Sequence, residues 1–338
     1  MSTMKRSIIK STGRYLPDRH VLNEELIELM ETSNDWIVQR TGIKARYWVR
    51  QGEDIGTSDL AYRASVIAME KAGWDPLDLD LIVFATMTPD FNVPGSGALL
   101  QKLLAAKNVP ALDIRQQCTG FLHGLEICDA YIRSEKAQKI LLVGAEFQSR
   151  YLELTTENRD TAVIFADGAG ATCIEAVESS NDIGIIASIF HADGKYSNAL
   201  RVGMPARKSG KAISQSVIKN KEHFPYMDGK AVFKLAVTLL PKVAAELLKK
   251  AKMKIEDVDM VIPHQANLRI NEVFRERMNI PQGKIYNNIQ RYGNTTAATI
   301  PIALDELMEK NMLKPKATIM FIGLGAGLTW GGVIYKSM

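Results

Sequence analysis

The second half of this chain repeats the first, and that repetition restricts the possible folds more than any single motif does. Ala251-Lys-Met-Lys-Ile-Glu-Asp-Val-Asp-Met-Val-Ile-Pro-His264 echoes Ala72-Gly-Trp-Asp-Pro-Leu-Asp-Leu-Asp-Leu-Ile-Val-Phe-Ala85. In each, a helix end passes through a short acidic link into an apolar strand. Ala317-Thr-Ile-Met-Phe-Ile-Gly-Leu-Gly325 likewise echoes Lys139-Ile-Leu-Leu-Val-Gly-Ala145, at a similar distance downstream. Self-similarity at half the chain length points to duplication. Two such α/β halves, spanning 1–178 and 179–338, would pack with equivalent loops facing one cleft, where strand ends present chemistry. With 338 residues, 46% of them hydrophobic, the chain can bury a large core.

One elbow in each half draws attention. Ala111-Leu-Asp-Ile114 reads as a short strand and Cys118-Thr-Gly120 as a turn. Leu122, Leu125, Ile127 and Tyr131 then mark an amphipathic helix. Cys118 at the positive end of that helix is expected to have a lowered pKa, with free backbone N–H groups able to hold an oxyanion. Such a thiol is a candidate for covalent acyl chemistry. Most free cysteines are simply small buried hydrophobes, and Cys128 in the helix and Cys173 in an apolar run are read that way. Three cysteines without framework spacing argue for a reducing compartment.

In the second half, Lys284–Asn288 reads as a strand, Tyr292-Gly-Asn-Thr295 as a turn and Thr296–Lys310 as a helix, the counterpart of the Cys118 elbow. His264 ends a strand of this half and Asn294 sits at its elbow, so Cys118, His264 and Asn294 can converge on one reacting carbon. His20, His123, His191 and His223 lack such a setting and are read as surface or core residues. No Cys/His spacing supports zinc, and no metal is expected.

The remaining elements are read as follows. Ser7–Gly13 opens as a strand, Asn23 caps a helix through about Thr32, and Ser58–Ala72 is a helix ending at Gly73. Ser96–Ala106 is a helix, and Thr161–Ala176 a strand pair around Asp167-Gly-Ala-Gly170. Trp36 and Arg40 share a helical turn that suits an adenine ring and its phosphates. Taken alone, they read more readily as a partly buried Trp beside a solvated Arg. The net charge of +4 does not indicate nucleic acid. No apolar run approaches a membrane span, and Met1–Pro17 lacks the apolar core of a signal peptide. Gly323-Leu-Gly-Ala-Gly327 has no βαβ unit after it, which removes a dinucleotide-binding reading.

The landmarks Thr32-Ser-Asn-Asp-Trp-Ile…Arg-Thr-Gly-Ile43, Cys118-Thr-Gly-Phe121, Phe165-Ala-Asp-Gly-Ala-Gly-Ala171, His264-Gln-Ala-Asn-Leu-Arg-Ile270, Tyr292-Gly-Asn-Thr295 and Gly325-Ala-Gly-Leu-Thr-Trp-Gly331 together resemble the β-ketoacyl-acyl-carrier-protein synthase III family of thiolase-fold condensing enzymes. The resemblance runs from the first strand to the C-terminus. It implies a thiolase-like α/β fold with duplicated halves in a five-layered αβαβα sandwich. It also implies a cytoplasmic homodimer without a resident cofactor, using acyl-CoA as substrate and malonyl-acyl carrier protein as partner. By the same resemblance Cys118 takes the acyl group. His264 and Asn294 stabilise the enolate left by decarboxylation, with His264 a neutral donor. Gly325, Ala326 and Gly327 form an oxyanion loop.

Thr32, Trp36, Arg40, Arg159, Gly229 and Asn267 match positions that hold CoA or its pantetheine arm. Lys234 and Arg269 match a face that meets the acidic carrier protein, and Arg275 and Arg277 extend it. Phe91 and Met227 are assigned to the acyl pocket. Three departures stand out. Arg115, Gln116 and Gln117 replace the small residues usual before the cysteine. The loop after Met87 reads Thr-Pro-Asp-Phe-Asn-Val-Pro-Gly. The basic stretch from His191 to Pro225 reads as a lid, with Met204 and Met227 near the pocket. These leave two expectations: condensation starting fatty-acid synthesis, or a specialised condensing enzyme using longer acyl chains.

Overall fold

The computed structural model describes residues 4–203 and 213–338, so Met204, Arg207, Lys208 and Lys211 lie outside the described residues. The chain opens with β1 (Met4–Tyr15), a ribbon of β2 (Arg19–Leu22) and β3 (Ala45–Trp48), then β4 (Leu81–Ala85), β5 (Ala111–Ile114), β6 (Lys139–Glu146) and β7 (Gly168–Ser179). It continues with β8 (Gly184–Ala192), a second ribbon of β9 (Leu200–Arg201) and β10 (Tyr226–Met227), and then β11 (Met260–Pro263), β12 (Thr318–Gly325) and β13 (Thr329–Lys336).

The first sheet runs β1-β7-β6-β4-β5, with β4 parallel to both β5 and β6, and β7 antiparallel to β6 and β1. The second runs β8-β13-β12-β11, again with a parallel pair (β11, β12) flanked by antiparallel strands. The repeat extends to single hydrogen bonds. After the helix Thr57–Ala72, Gly73 turns left-handed and a short helical turn Pro76–Asp78 leads to β4. After the helix Gly229–Ala251, Lys252 does the same and Ile255–Asp257 leads to β11. The acidic links have equivalent tasks. Asp80 N–H donates to Lys139 O (2.9 Å) and its carboxylate accepts from Lys139 N–H (2.9 Å). Asp259 N–H donates to Thr318 O (2.8 Å) and its carboxylate accepts from Thr318 N–H (2.8 Å).

Strands buried on both faces explain the near-continuous apolar runs. All five residues of β4 are buried, with Ile82 and Phe84 on one face and Leu81, Val83 and Ala85 on the other. The helices Thr57–Ala72 and Ser96–Leu103 cover the outer face of the first sheet, through Leu60, Ala61, Ala64, Ala68 and Leu100. The long helix Gly229–Ala251, joined by Leu268–Arg277, covers the outer face of the second. Between the sheets lie the helices Gly120–Arg133 and Thr299–Glu309, which contact strands on both sides. Phe121, Leu122, Leu125, Ile132, Ile300, Leu304 and Leu307 fill this central layer with Phe321 of the second sheet. The result is the five-layered αβαβα sandwich.

Four local expectations fail for identifiable reasons. No regular strand forms over 284–288; Ile285 makes an isolated bridge to Val261. Pairing stops there because Gln265 Oε1 accepts from Asn288 N–H (3.0 Å) and Ile289 N–H (3.3 Å). The first helix covers Asn23–Ile27, and Asn23 lies inside it as a buried tie, its Nδ2 donating to Asn34 Oδ1 and Ile43 O (both 2.9 Å). In place of a strand pair over 161–176 there is a short helix, Arg159–Ala162, followed by β7 alone. Asp167 is held inward by Val49 N–H and Ser149 N–H (2.8 Å each), which delays the strand to Gly168. The helix after Ser96 stops at Leu103. Among the described residues, no helix is long and apolar enough to cross a membrane.

Truncating Phe321, fully buried between the layers, should cost about 3–5 kcal/mol in urea unfolding as Phe321→Ala. Leu77→Ala, at a side chain 52% exposed, should stay within about 0.5 kcal/mol of wild type.

Candidate active site

The elbow places Cys118 in a short helical turn, Gln117–Thr119, between β5 and the central helix Gly120–Arg133. Gln117 takes a left-handed φ of 43° to make the bend. The second half makes the same bend at Thr296 (φ 49°), in a short turn Thr296–Ala298 before the helix Thr299–Glu309. By that register the equivalent of Cys118 is Ala297, and Asn294 lies three residues ahead of it, opposite Arg115 in the repeat.

Two cavities meet at Cys118. One, of about 670 Å³, is lined by Cys118, His264, Asn294 and Gly325 at its inner end and by Trp36, Arg40 and Asn267 further out. The other, of about 460 Å³, is reached past Cys118 and includes Phe91, Arg115, Gln117 and Tyr151. Phe91 and Met227, both assigned to an acyl pocket from the sequence, therefore separate: Phe91 lines the second cavity and Met227 the first. Among the described residues of the 191–225 stretch, Leu200 and Arg201 form β9, which pairs with β10 and supplies Leu200 to both cavities.

The inner residues are dry. Cys118 is 7% exposed and His264 and Asn294 are each 4% exposed. Burial, with Glu146 as the second cause, pushes the Cys118 thiol up to about 12, against the weaker pull of backbone hydrogen bonds from Ala326 and Cys118 itself. Burial of the thiolate thus opposes the lowering expected from the helix end and favours the thiol as the resting form. The same effect leaves Cys173, in the core, at about 12. His264 is pushed down to about 3 by burial and is neutral.

His264 Nδ1 pairs with Thr299 Oγ1 (2.7 Å), whose hydroxyl also reaches Thr296 O (3.1 Å). A hydroxyl can satisfy either tautomer. When it donates to Nδ1, Nε2 carries the proton; when it donates to Thr296 O, Nε2 is an acceptor. Nε2 itself is buried without a partner among the described residues. Asn294 Oδ1 accepts from Thr296 N–H (2.9 Å), and its Nδ2 has no partner among the described residues. Gly325 lets the second half approach the cysteine: an added Cβ would fall 2.7 Å from Cys118 Cβ.

Glu146 was not singled out from the sequence, although a lone acid closing the apolar strand Lys139–Glu146 was a readable signal. It is fully buried and accepts from Thr88 Oγ1 (2.6 Å), Thr86 Oγ1 (3.2 Å) and Met87 N–H (3.2 Å). Ala297 N–H also donates to it (3.5 Å), so it ties the turn after Asn294 to the strand ends beside Cys118. Burial raises its carboxyl to about 7. Thr299, the partner of His264, carried no sequence signal beyond its place in the helix.

At the outer end of the larger cavity, the guanidinium groups of Arg40 and Arg159 lie 4.6 and 4.9 Å from the Trp36 ring centroid. Arg159 also donates to Glu31 O. Gly229 and Arg269 line this cavity, with Arg269 over Phe233. Asn267 is committed structurally: its Oδ1 caps a helix at Arg269 N–H (2.9 Å) and its Nδ2 donates to Arg40 O (2.8 Å). Thr32 is nearby in sequence, its Oγ1 buried without a partner. Lys234 is exposed on the long helix. Arg275 is paired with Glu272 (2.8 Å) and Glu276 (3.4 Å), and Arg277 donates to Val237 O (2.7 Å). Arg275 thus shares its charge with two neighbouring acids. Among the described residues no three His, Cys, Asp or Glu side chains form a metal-binding group.

Residues 112–194 match the family model described as 3-Oxoacyl-[acyl-carrier-protein (ACP)] synthase III. Residues 248–337 match the model of its C-terminal part. The chain is 40% identical over 334 residues to the beta-ketoacyl-[acyl-carrier-protein] synthase III of Natranaerobius thermophilus, covering 98% of this chain and 100% of that one. The corresponding protein of Fusobacterium nucleatum is 41% identical over 328 residues, with 97% and 98% covered. The crystal structure of 3-oxoacyl-[acyl-carrier-protein] synthase III from Aquifex aeolicus VF5 superposes with a TM-score of 0.88 at 37% identity, covering 98% and 99%.

A thiol held at about 12 has a testable pH profile. Iodoacetamide alkylation of Cys118, read against a Cys118→Ala control, should rise about tenfold per pH unit from about pH 7 to about pH 10, because the thiolate is the reactive form. A plateau near neutral pH would mean that the thiolate is held by the helix end after all.

Proposed function

The chain belongs to the 3-oxoacyl-[acyl-carrier-protein] synthase III family, and on that premise we propose how its two cavities and three buried polar groups carry out the reaction. It is a condensing acyltransferase of fatty-acid synthesis with the thiolase fold. In the proposed cycle, the larger cavity takes the pantetheine arm of acyl-CoA, with the adenine against Trp36 and the phosphates near Arg40 and Arg159. Cys118 sulfur attacks the thioester carbonyl. A C–S bond forms to Cys118, the C–S bond to CoA breaks, and the thiol proton leaves with CoA. The Cys118 and Ala326 N–H groups, both close enough to the sulfur to favour its thiolate, are placed to receive the oxyanion.

Malonyl-acyl carrier protein then enters by the same route, its acidic surface against Lys234, Arg269 and Arg277. Loss of CO₂ puts negative charge on the thioester oxygen. Two fixed donors, His264 Nε2–H and Asn294 Nδ2, meet it. The enolate carbon attacks the acyl group, a C–C bond forms, the C–S bond to Cys118 breaks, and the departing thiolate takes a proton from solvent to restore the resting thiol. A neutral His264 suits this step, because decarboxylation needs a hydrogen-bond donor rather than a proton acceptor. The observation that carries the reading is the unpartnered, buried Nε2 of His264 facing the cavity that also holds Cys118 and Asn294. We further propose a homodimer in which Phe91, 57% exposed on the loop after β4, reaches its partner's smaller cavity. A cytoplasmic location follows from the same reading.

A second reading keeps this chemistry in a specialised pathway with a different starter. It is favoured by Arg115 and Gln117, which put polar groups in the wall of the smaller cavity.

The half-reactions should separate. His264→Ala and Asn294→Ala should still form the acyl-enzyme within about threefold of wild type, yet lose roughly a hundredfold or more in condensation, in line with the loss of one oxyanion donor. Rapid-quench measurement of both steps decides. Loss of acylation ahead of condensation, with unfolding curves unchanged, would contradict the assigned roles.

A further inference from the structure

The smaller cavity is where the chain departs from an apolar acyl pocket. Arg115 and Gln117 line it together with Tyr151 and Arg201. No side-chain hydrogen bond or ion pair is made by Arg115, Gln117 or Tyr151 among the described residues. Arg115 and Tyr151 line the same cavity. Arg201 gives one donor to Asn198 O (3.0 Å) and stacks on Tyr226, keeping its charge at the wall.

Asp90, the acid in this lining, is already spent. Its oxygens accept from Ser58 N–H (3.1 Å), Ser58 Oγ (3.0 Å) and Ser96 Oγ (2.7 Å). The cavity thus presents a guanidinium, an amide and a phenol with unused donors, and two cationic side chains against the single carboxylate of Asp90, whose oxygens are already hydrogen-bonded. A saturated acyl chain laid against this wall would return no hydrogen bond to the half-buried Gln117 and Tyr151 or to the exposed Arg115.

Resting on the covalent reading of Cys118, we propose that the smaller cavity accepts a short acyl group that ends in a carboxylate, the half-thioester of a dicarboxylic acid, with Arg115 as the residue that selects it. Arg115 and Cys118 line the same cavity, so a short dicarboxylic half-thioester such as glutaryl has its reacting carbon and its distal carboxylate in one space. The distal carboxylate pairs with the guanidinium, a charge-assisted and geometrically selective contact. Gln117 and Tyr151 supply further donors. The chemical step is unchanged: the thioester passes from CoA sulfur to Cys118 sulfur, and the thiol proton leaves with CoA.

The test is a competition. Wild type, Arg115→Ala, Arg115→Lys and Cys118→Ala are incubated with equimolar glutaryl-CoA and hexanoyl-CoA, with acetyl-CoA in a parallel reaction, and adducts are counted by intact-protein mass spectrometry. The glutaryl adduct should exceed the hexanoyl adduct at least tenfold in wild type. In Arg115→Ala the ratio should fall to about one through loss of the glutaryl adduct, with the hexanoyl rate retained, and Arg115→Lys should fall between. Hexanoyl or acetyl adducts without a glutaryl preference, or a preference unchanged in Arg115→Ala, would overturn this inference alone. Absence of any Cys118-dependent adduct would overturn the covalent reading and this inference with it.

Discussion

Everything in this molecule depends on the central layer, where the helices Gly120–Arg133 and Thr299–Glu309 are buried against both sheets at once. Each sheet alone would leave an apolar face in water. The two close on a shared pair of helices because Phe121, Leu125, Ile300, Leu304 and Phe321 have no other place to be buried. The chemistry follows from that closure. Cys118 leads into one central helix, Asn294 stands five residues ahead of the other, and His264 follows a strand of the second sheet. Burying the layer is what brings them to one point.

The same burial sets the electrostatics. Cys118 at about 12, Glu146 at about 7 and His264 at about 3 are all moved toward their neutral forms by desolvation. For Glu146 the consequence for stability has a definite sign. The folded chain holds its proton more tightly than the unfolded chain, so folding is progressively weakened as pH rises from the ordinary carboxylate range to about 7. A site that is neutral at rest makes new charge costly unless donors are already in place. The Cys118 and Ala326 N–H groups, Asn294 Nδ2 and His264 Nε2 are held there by backbone and side-chain contacts made in advance.

Much of this was legible in the residues because duplication writes the pattern twice. The acidic links ending in Asp80 and Asp259 have the same neighbours in space as in sequence, and the elbow before Gly120 is formed as its residue types suggest. What was illegible came from tertiary partners. The thiol pKa depends on how dry the cleft is, which no local pattern carries. The strand expected over 284–288 is stopped by Gln265, a residue some twenty positions away. The elbow that carries Asn294 matches the Cys118 elbow, and the turn geometry sets Ala297 opposite the cysteine. Thr299 acquires its role solely by facing His264.

The account rests on Cys118 being acylated and then discharged within one cleft. The direct measurement is intact-protein mass spectrometry with peptide mapping, after incubation with acetyl-CoA or a longer acyl-CoA and again after adding malonyl-acyl carrier protein. The account predicts one acyl group, on the peptide containing Cys118, which disappears when the malonyl carrier is added and is recovered as a β-ketoacyl carrier product. An acyl group on another residue, or one on Cys118 that persists in the presence of the malonyl carrier, would contradict it.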